Sequence, residues 1–131
     1  MFALDTNTVA CFFRGAGRVA ERLLATPLRE VVVPAIVAYE LRYGVARRSD
    51  AVRLADRVET LLSNVLVLPV DDSVASVAAQ LRARLEEVGR PIGPHDILIA
   101  ATALAAQAVP VTRNARQFSR VPGLKVENWF D

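Results

Sequence analysis

The sequence predicts an α/β fold, a sandwich built on a mostly parallel sheet of four or five strands. Three observations predict it. Short apolar runs bounded by charges, prolines or polar clusters recur at Phe2–Leu4, Glu30–Pro34, Val65–Val70 and Ala108–Thr112. Between them lie longer segments in which apolar residues repeat every three or four positions, so strands alternate with helices as in βαβ units. The run Val31-Val32-Val33 is continuous and β-branched, as expected of a strand buried on both faces rather than on one.

Length and composition bound the answer. The 131 residues suit a single domain, 1–131, with one sizeable core; 53% are hydrophobic and 23% charged, which excludes a disordered or coiled-coil chain. Sixteen basic residues against fourteen acidic leave a net charge of +2, too small for an overall pull toward nucleic acid. Fifteen of the sixteen are Arg, with Lys125 the exception, a skew that a G and C rich genome explains as well as phosphate binding does. Asp5 follows Met1 so closely that no signal peptide is expected, and the apolar stretch Ile97–Val109 is too short to span a bilayer. With Cys11 the single cysteine, no internal disulfide is expected and a reduced, cytoplasmic setting fits.

Taken in order, Phe2–Leu4 reads as a buried strand that turns into a helix at Asp5. Val9–Phe13 is that helix, Gly15 and Gly17 interrupt it, and Val19–Leu24 continues until Pro27. After the second strand, Ala35–Ala46 is helical with Ile36, Val37, Leu41 and Gly44 along one side. Ser49-Asp50 opens an amphipathic helix carrying Leu54, Val58, Leu61 and Leu62, which pairs with the helix before it. Asp71-Asp72-Ser73 caps a long helix that Gly89 stops. Gly93-Pro94-His95-Asp96 starts another with proline at its first position, and Ile97–Gln107 is apolar enough to be buried on most sides. Phe118 marks a short helix after the fourth strand, and Gly123–Trp129 alternates as an edge strand would.

This topology carries the chemistry. Right-handed crossovers set the carboxyl ends of parallel strands, and the first turns of the helices that follow, on one edge of the sheet. That edge collects Asp5, Asp96, Asn114 and, a turn into its helix, Glu40. On its own stretch Asp5, or Thr6, reads better as an N-cap of the next helix than as a site residue. Glu40 shares a face with Ile36 and Gly44, so it either snorkels at the edge of an apolar stripe or meets a cation. Asp96 sits in the first turn of a buried helix, with less water around it than a surface cap has. His95, the only histidine, reads as an exposed cap-region residue and is left out of the ligand set. Clustered carboxylates without Cys or His point to Mg²⁺ or Mn²⁺, which suits phosphodiester hydrolysis. No Gly-x-x-x-x-Gly-Lys loop and no Gly-x-Ser-x-Gly elbow is present.

Leu4-Asp5-Thr6-Asn7, Tyr39-Glu40-Leu41-x-Tyr43-Gly44, Gly93-Pro94-x-Asp96-x-x-Ile99-Ala100, Thr112-x-Asn114-x-x-x-Phe118 and Gly123-Leu124-x-Val126-Glu127-x-Trp129 occur in that order from end to end. In these motifs the chain resembles the PIN-domain ribonucleases of the VapC toxin type. The resemblance implies a three-layer α/β/α sandwich, Mg²⁺- or Mn²⁺-dependent endoribonuclease activity, a homodimer, and neutralisation by a VapB antitoxin. It implies Asp5 and Asp96 as direct metal ligands and Glu40 as completing the acidic set, bonding the metal or a metal-bound water and acting as the base for the attacking water, with Thr6 and Asn7 buttressing Asp5. Many PIN domains have an acid where Asn114 stands; the resemblance makes Asn114 a catalytic-site residue whose amide oxygen can orient a water or accept a metal contact, but an amide cannot neutralise charge, which counts against two tightly held metals. The Gly-Pro-x-Asp segment and the tail look most like the subgroup that cuts initiator tRNA in its anticodon loop. Arg14, Arg42, Arg113 and Arg116 lie near the edge as candidates for phosphate contacts, against a plain reading as solvated surface. The helical pair Ala35–Leu62 is expected to serve dimer and antitoxin contacts.

Two other readings compete. A phosphatase of the haloacid dehalogenase type also begins with a strand ending in Asp, but it wants a second Asp where this chain has Asn7, and a lysine partner. An interaction module whose carboxylates are only helix caps accounts for Asp5 and Asp96 but not for Glu40.

Overall fold

The computed structural model describes residues 1–131. Its four strands are β1 (Phe2–Leu4), β2 (Val31–Pro34), β3 (Leu66–Leu68) and β4 (Val109–Val111). They form one parallel sheet in the order β3-β2-β1-β4. The helices are α1 (Thr6–Arg14), α2 (Val19–Leu24), α3 (Ala35–Ala46), α4 (Val52–Asn64), α5 (Asp72–Glu87), α6 (Pro94–Ala105) and α7 (Ala115–Phe118). None is long and apolar enough to cross a membrane.

The central strands are buried on both faces. Alternate residues point to opposite sides, so Val31 and Val33 join the main core with Leu4 and Val111, whereas Ala3 and Val32 pack with Ala103 of α6 and Ala108. Each helix start on the sheet's carboxyl edge has a local cause. Asp5 is the N-cap of α1, its Oδ1 accepting the Thr8 N–H at 2.8 Å. Pro34 ends β2 and begins α3 in a single step, and Gly93-Pro94 opens α6 with proline in the first turn.

The lower of the two expected strand counts holds. Gly123–Trp129 makes one parallel bridge, Val111 with Glu127, and no fifth strand. The reason is Pro110. The Glu127 N–H donates to Pro110 O and the Thr112 N–H to Glu127 O, both at 2.9 Å. The next bond of that pattern would need an N–H on Pro110, which has none, so pairing stops after one residue. Beyond it, Asn128 Oδ1 accepts the Phe130 N–H at 2.8 Å and turns the chain away.

Candidate active site

Asp5 ends the central strand β1. Its N–H reaches across to Val111 O of β4 at 3.2 Å, and its side chain is only 8% exposed. Burial pushes the Asp5 carboxyl above its ordinary range, and the nearby Glu40 charge adds to that; the Thr112 and Thr8 hydroxyls and the Thr8 N–H act the other way. Asp96, half-buried in the first turn of α6, is also pushed up, first by burial and then by the charges of Asp5 and Glu40, with His95 opposing. Asp5 therefore feels Glu40, and Asp96 feels both: carboxylates from the β1–α1 junction, α3 and α6 lie near one another.

Glu40 is fixed from two sides. The Thr6 hydroxyl donates to Oε1 at 2.9 Å, and His95 Nδ1 lies 3.5 Å from Oε2. The side chain is 29% exposed and opens on a groove of about 590 Å³ between α1 and α3. Asn114 meets this group through Thr112, whose hydroxyl also bonds Asp5. It is exposed, its N–H goes to the Thr112 hydroxyl at 2.9 Å, and its side-chain amide donates to Gln117 Oε1.

In the present rotamers no three His, Cys, Asp or Glu side chains enclose an ion. The donor chemistry nevertheless suits a hard divalent cation: two aspartates disfavoured as anions by burial and by the charge of Glu40, with oxygen ligands only. Asp5 and Asp96 are the pair that fits it best, since Glu40 Oε1 is engaged by Thr6 while Oε2 has only His95 near it, at 3.5 Å.

Thr6 supports Glu40 and not Asp5, because the first helical residue projects sideways toward α3 while the N–H of the third returns to the cap. Asn7 is exposed, and its Oδ1 takes only the Cys11 thiol, at 3.9 Å. The residues that steady Asp5 are Thr8, whose hydroxyl donates to Val111 O at 2.9 Å, and Thr112.

The arginines divide. Arg14 lines the groove together with Thr6, Glu40 and His95. Arg113 lies flat over the Phe130 ring, 3.5 Å from its centroid, and Arg116 is exposed on α7 with its guanidinium unpaired. Arg42 is elsewhere. Two residues from Glu40 it is turned most of the way round the helix, and it clasps Glu59 of α4 through bonds of 3.0 and 2.9 Å. The groove takes Arg47 and Arg48 instead. The signal for them was present, since 40, 44 and 48 step by four and 40, 43 and 47 by three and four. His95 was legible as well, because any argument that brings Asp96 to the edge brings its neighbour.

The sequence profile of the PIN domain matches residues 2–124. The chain belongs to the PIN-domain family. Its relatives within the family include VapC proteins. The tRNA(fMet)-specific endonuclease VapC of Salmonella typhimurium is 36% identical over 131 residues, 98% of this chain and 97% of that one. Ribonuclease VapC2 of Haemophilus influenzae is 33% identical, covering 98% and 97%. Among solved structures, DNA-bound VapBC of Salmonella typhimurium superposes with a TM-score of 0.88 at 34% identity, over 98% of this chain and 97% of that one. FitAcB of Neisseria gonorrhoeae gives 0.89 at 32%, with the same coverage. This PIN domain is thus a VapC-type ribonuclease fold along almost its whole length, and the acidic edge is where Asp5, Glu40 and Asp96 meet.

Proposed function

We propose that the chain is the toxin of a type II toxin–antitoxin pair, an endoribonuclease that hydrolyses RNA phosphodiesters in the presence of Mg²⁺ or Mn²⁺. Its target on this reading is tRNA, cut in the anticodon loop. The observation that carries the proposal is the convergence of Asp5, Glu40 and Asp96 on the carboxyl edge of the sheet. A divalent ion held by Asp5 and Asp96 would supply positive charge to offset both the carboxylates and the charge that develops on the phosphoryl oxygens. Glu40, anchored through Oε1 by Thr6, offers Oε2 to take the proton of the attacking water. Arg14 and Arg113, at either side, bind flanking phosphates.

The names of the Salmonella and Shigella relatives, tRNA(fMet)-specific endonucleases, favour the tRNA reading. The VapBC complexes among its structural neighbours favour a VapB-type antitoxin as partner. We take the working form to be a homodimer acting in the cytoplasm, where tRNA is found.

The test is cleavage of end-labelled bulk tRNA by the purified chain with Mg²⁺ or Mn²⁺, alongside EDTA and Asp96→Asn controls. Discrete fragments that fall by at least about a hundredfold in both controls are the expected outcome, the scale of losing a charge-stabilising group at a reacting centre. A thermal scan belongs beside it: Mn²⁺ should raise the Tm of the wild type and leave Asp96→Asn unmoved. Equal cleavage by wild type and variant would return the carboxylates to the role of helix caps.

A further inference from the structure

The groove that opens at Glu40 continues away from the carboxylates between α1 and α3, and its lining has features that hydrolysis does not use. Tyr39 and Tyr43 stand on α3 one turn apart, 55% and 58% exposed. Both line the groove, with Arg14 on one side and Arg47 and Arg48 at the far end. The Arg47 guanidinium lies 6.0 Å from the Tyr43 ring centroid, and the His95 ring meets Tyr39 edge-on at 5.9 Å. Glu40 is the only acid of the lining, so the track beyond it is cationic.

Exposed aromatic faces among arginines, in line with a cluster that cuts phosphodiesters, are the composition of a platform for unpaired nucleic acid. The spacing selects the strand. Residues four apart on a helix are separated by about 6 Å along its axis. A duplex strand advances only about 3.4 Å per nucleotide, so consecutive bases can meet both rings only if they are unstacked from one another.

We propose that Tyr39 and Tyr43 form a two-base stacking subsite for unpaired RNA, with Arg14, Arg47 and Arg48 on its phosphates. This track leads the strand to Asp5, Glu40 and Asp96. The inference rests on the ribonuclease reading and adds to it the residues that, away from the carboxylates, hold the unpaired strand.

The experiment uses the full chain, a tRNA anticodon stem-loop carrying 2-aminopurine in its loop, and a fully paired duplex of the same length. Binding of the stem-loop should quench the 2-aminopurine, and the duplex should compete poorly. Tyr39→Leu and Tyr43→Leu should each raise KM about tenfold, with the loss on KM and not on kcat, and the double variant should abolish quenching. Tyr39→Phe and Tyr43→Phe, which keep the ring, should restore both. Circular dichroism melts establish that each variant is folded. Leucine variants that quench and cut like wild type overturn the proposal. So do variants whose only loss is affinity for the co-expressed antitoxin, which would give this surface to a protein partner. Wild type that quenches without cutting would leave the stacking subsite standing and remove the nuclease reading.

Discussion

Asp5 does two things that pull its charge in opposite directions. As the N-cap of α1 it accepts the Thr8 N–H at 2.8 Å, a role that either a carboxylate or an amide oxygen can fill. As a buried acid beside Glu40 it is held above its ordinary pKa of 3.8. The folded protein therefore binds the Asp5 proton more tightly than the unfolded chain does. Stability from this group is greatest below the ordinary value and declines as pH rises through the raised one, so at neutral pH the ionised form carries the full cost. Asp5→Asn keeps the cap and removes that cost. In metal-free buffer the variant should melt above wild type at pH 7, with the difference shrinking toward zero as pH falls into the acid range. Saturating Mn²⁺ should reverse the order, because only the wild type gains a ligand. A variant that melts lower at pH 7 without metal would mean that Asp5 is stabilising as an anion.

At the scale of elements, the ends of the helices show what a sequence discloses and what it withholds. Helix α5 ends in a Schellman turn: the Gly89 N–H returns to Glu86 O at 3.1 Å and the Arg90 N–H to Leu85 O at 2.8 Å, with Gly89 at φ 71°. Helix α6 ends the same way, Gln107 to Leu104 O at 3.1 Å and Ala108 to Ala103 O at 2.8 Å, but the left-handed residue is Gln107 at φ 53°. Gly89 announced its turn. Gln107 carried no signal, because the position is imposed by Ala103 and Ala108 packing under the sheet against Ala3 and Val32. A side chain held there costs about 1–2 kcal/mol and the greater freedom of glycine in the unfolded chain takes back about 0.4–1 kcal/mol, so Gln107→Gly should stabilise the protein by roughly 0.5–1 kcal/mol in urea unfolding. Gly89→Ala, made in parallel, should lose a similar amount. The same limit explains Arg42: helical periodicity put it on α3, but its pairing with Glu59 depends on where α4 is laid down, which no local pattern states.

For the whole molecule, the legible part was the part repeated along the chain. Alternating apolar runs and helices implied a parallel sheet, and crossover handedness then put Asp5 and Glu40 on one edge; Asp96 reaches it because α6, which follows α5 and not a strand, runs back to the start of β4. What was not legible depended on single long-range partners: Thr6 on Glu40, Arg42 on Glu59, and the fate of the tail. The tail is the sharpest case. The family profile ends at Leu124, and the alternation after it suggested an edge strand. Instead the last residues act as a clasp over β4 and β1. Trp129 is 3% exposed, its ring 5.2 Å from Phe2 and its Nε1–H donating to Glu127 Oε1 at 2.9 Å. Phe130 lies against Gly17, where any Cβ would stand 2.4 Å from its ring, and it carries the Arg113 guanidinium on its face. Emptying a site like that of Trp129 costs about 3–5 kcal/mol, against a total stability of about 5–15 kcal/mol for a domain. Removing residues 125–131 also strips the partner from Pro110 O and Thr112 N at the outer edge of the sheet. The truncated chain should therefore fail to give a cooperative melt at 37 °C by circular dichroism. Phe130→Ala should stay folded and lose RNA affinity through a freed Arg113. If the chain ending at Leu124 melts like the full one, the clasp is dispensable to the fold, and the stacking of Arg113 on Phe130 is left as the one reason for its form.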